Sequence, residues 1–173
     1  MLKYIGNPTV TFTEFPDEIA LCINITGCPC RCPKCSEPEL QEDTGTILNE
    51  RELATILSEH PGISLVGFMG GDCDHEAIAK LSDFIHLHNL KVGMYSGLDY
   101  LDPILLNSLD YYKIGRWITP KGDEADWWKT NCGPLNFTFS NQVMFKKESG
   151  VWLNITSKFR EKAVKDLKRA IIE

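Results

Sequence analysis

No run of apolar residues in this chain is long enough to cross a bilayer. Stretches such as Ile19 to Ile25 fall well short of the ~18 residues that a spanning helix needs. Met1-Leu2-Lys3-Tyr4 does not begin a signal peptide, so a cytoplasmic location without membrane association is expected. Positive charge is also in short supply. With 18 Lys and Arg against 24 Asp and Glu, the net charge of -6 argues against a general nucleic-acid binder, whose surface must neutralise phosphate. Internal repeats, low-complexity tracts and dividing linkers are absent, so the 173 residues are expected to form one domain, 1–173. Histidine is sparse, and His60, His75, His86 and His88 offer no metal-ligand pair. His86 and His88 are two apart on an expected helix and face different ways, so the histidines read as surface or helix-end residues.

Cysteine is what the chain has in excess. Of seven cysteines, Cys22, Cys28, Cys30, Cys32 and Cys35 fall within fourteen residues. An odd and clustered set is a poor layout for a secreted disulfide framework, and in a reducing compartment clustered thiols point to metal. Cys28, Cys32 and Cys35 form C-x3-C-x2-C, which fixes three thiolates on one tight loop. Three such cysteines suit a four-iron cubane cluster: they hold three irons and leave the fourth open to a small molecule. An electron-transfer ferredoxin wants a fourth cysteine, and a structural zinc site wants four closed ligands, usually as two separated C-x2-C pairs. No second pair exists here, although Cys73 or Cys132 as a distant fourth ligand keeps a zinc or electron-transfer module open as the alternative. Cys30 pairs as C-x-C with both neighbours and reads as a non-ligating member of the loop. Cys22, inside an expected strand, reads as a buried small hydrophobe.

Along the chain, apolar strands alternate with helices. Ala20 to Thr26 reads as a mostly buried strand, and Asn49 to Glu59 as a helix capped by Asn49 with Leu53, Ile56 and Leu57 on one face. Ser64 to Met69 reads as the next strand, ending in Gly70-Gly71, after which Asp74 caps a helix carrying Ile78, Leu81 and Ile85. Lys91 to Tyr95 is expected as a third strand, Leu101 to Leu109 as a short helix, and Tyr111 to Ile114 as a fourth strand. That alternation is the pattern of βαβ crossovers and a parallel sheet.

Ile118 to Phe139 has no convincing period and reads as a long surface segment, in which Asp123, Glu124 and Asp126 form a solvated charge run. Trp117, Trp127, Trp128 and Trp152 read as a satellite core beneath it. Gln142 to Phe145 and Val151 to Asn154 suggest a hairpin around Glu148-Ser149-Gly150, with Asn141 and Gln142 holding backbone at its start. A helix from about Ser157, with Phe159, Ala163, Leu167, Ala170 and Ile171 on one stripe, closes the chain; its basic residues read as a solvated face.

The cysteine loop, directly after a strand ending Asn24-Ile-Thr-Gly27, resembles that of the radical S-adenosylmethionine superfamily. Met69-Gly70-Gly71-Asp72 agrees with it, because that superfamily carries a Gly-Gly-Glu/Asp motif after its second strand. A backbone without Cβ lets a ligand approach closely, and groups at the C-terminal ends of parallel strands point into the mouth of the sheet.

Within the superfamily, several segments are similar to the activating enzymes of anaerobic (class III) ribonucleoside-triphosphate reductases. They are Phe12-Thr-Glu-Phe-Pro-Asp17, Gly67 to Asp72, Gly93-Met-Tyr-Ser-Gly97, Tyr112-Lys-Ile-Gly115, and Gly133-Pro-Leu135 leading to Ser140-Asn-Gln142. Together they span roughly residues 5 to 156.

The resemblance implies one 4Fe-4S cluster on Cys28, Cys32 and Cys35, with S-adenosylmethionine chelating the open iron and its amino group meeting Gly70, Gly71 and Asp72. Ser96 would sit near the cofactor ribose or carboxylate. Lys34 stands where many members place an aromatic residue against the adenine. The implied reaction is reductive cleavage to a 5'-deoxyadenosyl radical that takes hydrogen from a glycine of the catalytic subunit of the reductase, with an electron donor such as flavodoxin. Other small radical S-adenosylmethionine enzymes, a different glycyl-radical activase or a cofactor maturase, share these motifs. An eight-fold barrel typically needs about 250 residues. The expected fold is therefore α/β, a partial, open TIM-like barrel of parallel βα units with a C-terminal hairpin and helix, its missing side admitting the partner's glycine loop.

Overall fold

The computed structural model describes residues 1–33, 35–117 and 142–158. Its frame is one mixed sheet of eight strands in the order β3-β1-β2-β4-β5-β6-β7-β8. The middle is parallel: β2 (Ala20–Ile25), β4 (Leu65–Met69), β5 (Lys91–Tyr95) and β6 (Tyr111–Ile114) run side by side. These are the four expected strands. Each is largely buried, as strands covered on both faces must be. No helix among the described residues is long and apolar enough to cross a membrane.

Two strands were not expected. β1 (Lys3–Thr11) pairs antiparallel with β2 and with the two-residue β3 (Thr46–Ile47). Gly6 and Pro8 interrupt any alternation in β1, and its register with β2 shifts between Ile5 and Thr9, which accommodates the proline that a regular ladder would reject. At the other edge, β7 (Val143–Glu148) pairs antiparallel with β6 and with β8 (Val151–Asn154), forming the expected hairpin. Ser149 and Gly150 both have positive φ, +50° and +79°, as a tight two-residue hairpin turn requires.

The first two crossovers are helical. α1 (Glu50–Glu59) starts where the Asn49 side chain accepts the Glu52 N–H, and α2 (His75–His86) where Asp74 accepts the Ala77 N–H. The Glu52 carboxylate does not return to the cap; it accepts the Tyr4 hydroxyl at 2.7 Å and so ties α1 to β1. The expected helix from Leu101 to Leu109 is replaced by successive turns. The bonds Leu105 N–H to Asp102 C=O and Ser108 N–H to Leu105 C=O span three residues, Leu109 N–H to Leu105 C=O spans four, and the Asp102 carboxylate takes the Ile104 N–H in a side-chain turn. Leu105 and Leu109 are nevertheless fully buried, so this crossover fulfils the same packing duty without helical geometry.

The sheet separates two cores. Leu21, Ile23 and Ile25 of β2, Val66 and Phe68 of β4, and Val92 and Met94 of β5 pack against Leu53 and Ile56 of α1 and Ile78, Leu81 and Ile85 of α2. On the other face, Phe15 lies across Gly67 and Gly93, which are register partners in β4 and β5. A Cβ at Gly67 would stand 2.5 Å from the Phe15 ring, and one at Gly93 would overlap it. Phe15 also meets the Tyr95 and Tyr111 rings at 5.3 and 5.8 Å. Cys22 lies on this face, where burial pushes its thiol up to about 12, in keeping with a structural role. The long segment 118–141, with Trp127, Trp128 and Cys132, and the closing helix from residue 159 onward lie outside the described residues.

Candidate functional site

The four parallel strands end at a common edge, and there the cysteine loop folds over a cleft of about 420 Å³. Cys28, Cys30, Cys32 and Cys35 all line that cleft, together with Gly70, Ser96 and Lys113. The loop is pinned at its root: the Gly27 and Cys28 N–H groups donate to the Glu42 and Leu40 carbonyls, both at 2.9 Å. Its tip is tight, with Arg31 at φ +46° and the Cys35 N–H bonded back to the Cys32 carbonyl at 3.2 Å. A non-glycine residue in the left-handed region costs roughly 1–2 kcal/mol, and such strain is concentrated where side-chain placement matters.

Beneath the loop, Asp72 is a hub. Its side chain is 1% exposed, and it accepts the Ser96 hydroxyl at 2.6 Å and the Gly97 N–H at 2.7 Å. His75 Nε2 lies 3.3 Å from one carboxylate oxygen, and Cys30 Sγ donates toward the other at 3.6 Å. A Cβ on Gly97 would stand 2.5 Å from Cys30 Sγ, so the missing side chain is what lets this thiol seat against the end of β5. Burial, reinforced by the Asp72 carboxylate, pushes the Cys30 thiol up to about 12, while burial also raises Cys28. Without metal, then, these two sulfurs are held as thiols; a bound cation would be needed to make them thiolates.

The expected site residues do not all face the cleft. Gly70 and Ser96 line it, but Gly71 turns the other way: a Cβ there would meet Ile78 of α2 at 2.9 Å. Both glycines have positive φ, +95° and +120°, so backbone geometry accounts for their identity. Ser96 spends its hydroxyl within the chain, donating to Asp72 and accepting from the Leu98 N–H at 3.0 Å. Asp72 presents no exposed oxygen. Lys34 lies outside the described residues. Cys73 is exposed, bonds the Thr26 carbonyl and stays apart from the other thiols' cleft.

Two sets of contacts escaped the sequence reading. His75 stands at a helix end, as expected, but its side chain is only 11% exposed and its ring bridges Asp72 and Asp102, the latter at 3.0 Å from Nδ1. The Asp-x-x-His spacing at a helix start was the available signal. Lys113, in the apolar run Tyr111-Tyr-Lys-Ile114, is buried with its ammonium 4.5 Å above the Tyr95 ring. Burial lowers it to about 8 against the opposing pull of Glu14, Asp72, Cys32 and Cys35. Gln142, at the hairpin start, bonds the Gly115 carbonyl as expected.

Among the described residues, one trio of donor atoms, from Cys28, Cys30 and Asp72, lies within 4.8 Å of one another, and Cys32 and Cys35 stand outside it while lining the same cleft. Comparison of the chain with protein-family models, with curated proteins and with solved structures finds no match.

Proposed function

We propose that this protein is an iron-sulfur, S-adenosylmethionine-dependent activase that forms the glycyl radical of an anaerobic ribonucleoside-triphosphate reductase. The observation that carries the reading is the C-x3-C-x2-C loop lining one cleft with Gly70 and Ser96 at the C-terminal edge of four parallel strands. Held by Cys28, Cys32 and Cys35, a 4Fe-4S cluster would supply the electron for reductive cleavage of S-adenosylmethionine, the chemistry needed to draw hydrogen from the partner's glycine.

In this reading Cys28, Cys32 and Cys35 hold the cluster. Gly70 leaves room for backbone contact with the methionine portion. Asp72 acts by holding Ser96 and Gly97 in place, since its own oxygens are already engaged. Lys113 brings the buried positive charge that a ligand carboxylate would meet. Tyr95, whose hydroxyl bonds Glu14, closes the floor of the cleft. The sheet is then an open portion of a TIM-like barrel, in which catalytic groups gather at the C-terminal ends of the strands. Flavodoxin is a suitable electron donor.

Electron paramagnetic resonance of the reductase after anaerobic incubation with this protein, S-adenosylmethionine and a reductant tests the partner assignment. A glycyl radical signal is expected. S-adenosylmethionine cleavage without that signal would assign the chain to a different small radical enzyme.

A further inference from the structure

The cysteine loop holds a second donor set, distinct from C-x3-C-x2-C. Cys28 Sγ, Cys30 Sγ and an Asp72 carboxylate oxygen lie within 4.8 Å of one another, and only Cys28 is shared with the cluster ligands. We infer that the cluster-free chain binds one divalent cation of borderline softness, such as zinc or cobalt, through Cys28, Cys30 and Asp72. Two sulfurs and one oxygen suit such ions and disfavour magnesium or calcium, which take oxygen ligands. Three protein ligands leave one position of a tetrahedral ion for water.

The geometry is close to what binding demands. With Zn–S of about 2.3 Å and Zn–O of about 2.0 Å, tetrahedral ligand atoms stand about 3.8 Å apart or less; Cys30 Sγ and Asp72 are already at 3.6 Å and no pair exceeds 4.8 Å, so closure takes a shift of roughly 1 Å at most. The two thiols ride on a partly exposed loop and can make that shift, whereas the carboxylate is anchored. Ser96, Gly97 and His75 hold Asp72, and Asp102 holds His75 in turn. Outer hydrogen bonds of this kind orient ligands in metal sites. Cys30 Sγ–H already points at Asp72, so the cation takes the place of that proton and both thiols release theirs to solvent.

Because Cys28 belongs to both sets, the single ion and a cluster on Cys28, Cys32 and Cys35 exclude each other. The inference stands apart from the radical reading, since it concerns the chain without its cluster.

The test is anaerobic titration of the cluster-free, full-length protein with Co2+, followed by thiol alkylation and mass mapping. One cobalt per chain with sulfur-to-cobalt absorption is expected, displaced by Zn2+, with Cys28 and Cys30 protected and Cys35 reactive. Cys30→Ser should weaken binding at least about tenfold, while Cys35→Ser stays within about twofold of wild type. Equal weakening by both variants, protection of Cys35, or no cobalt binding would overturn the inference. The alkylation map on the unsubstituted protein keeps the test decisive even where Cys30→Ser fails to fold.

Discussion

The two ends of the parallel sheet each bury one acid and surround it with donors, but to different purpose. At the N-terminal end, Glu18 is bonded by the Ser64 hydroxyl at 2.7 Å, the Tyr111 hydroxyl at 2.9 Å and the Lys91 ammonium. These residues stand at or just before the starts of β4, β6 and β5, so one carboxylate clamps three strands. At the C-terminal end, Asp72 is bonded by Ser96, Gly97, His75 and a thiol, and it sits below a loop with four cysteines over a cleft. The first acid closes a structural joint with a cation. The second holds reactive groups in position beside open space. In open α/β sheets, ligands bind outside the carboxyl ends of the strands.

Substitutions at the two ends should therefore separate folding from function. The largest effect is expected for Cys32→Ala, which should lose cluster and activity while melting normally; Cys30→Ala should keep most of the cluster. Iron analysis after anaerobic reconstitution checks this, and equal loss in both variants would mean that the ligands are misassigned. Glu18→Ala should do the reverse. It removes the carboxylate shared by Ser64, Tyr111 and Lys91, of which Tyr111 keeps the Pro16 carbonyl and Lys91 reaches water, and should lower stability by about 1–2 kcal/mol in a denaturant titration while cluster content per folded chain is unchanged. Between the two ends, Gly93→Ala drives a methyl into the Phe15 ring and should cost about 1–3 kcal/mol. A melting temperature equal to wild type would show that Phe15 has room to move.

Lys113 offers a subtler contrast through pH. Its value falls from the usual 10.5 to about 8 on folding, so below pH 8 the folded chain carries a buried charge at full cost. Between about pH 8 and 10.5 the folded state sheds that proton while the unfolded state keeps it, and stability must rise with pH. Measured on cluster-free protein, wild type should gain about 3 kcal/mol on Lys113→Met across that window. A constant difference between the two proteins would place the ammonium in contact with water.

Much of this arrangement was legible in the sequence. The four parallel strands declare themselves because β2, β4, β5 and β6 are buried on both faces and read as apolar runs; Asn49 and Asp74 declare the helices through their caps. β1 did not, because Gly6 and Pro8 break its pattern and pairing with β2 supplies what local preference lacks. The third crossover shows tertiary packing overriding period: Leu105 and Leu109 have helical spacing and are buried, yet the Asp102 side chain and three-residue bonds close the segment into turns. At the site, the cysteine spacing and Gly70-Gly71-Asp72 stand out from local sequence alone. The closure of Asp72–His75 onto Asp102 and the Lys113–Tyr95 contact do not, because each joins residues from different strands or loops that only the fold brings together.

Whether the C-terminal end of the sheet is the chemical one comes down to a single measurement on anaerobically reconstituted protein: iron and sulfide content, paired with 5'-deoxyadenosine formed from S-adenosylmethionine under reducing conditions. Four irons and four sulfides per chain with deoxyadenosine produced is the expected result. A fully loaded cluster that leaves S-adenosylmethionine uncleaved would contradict it.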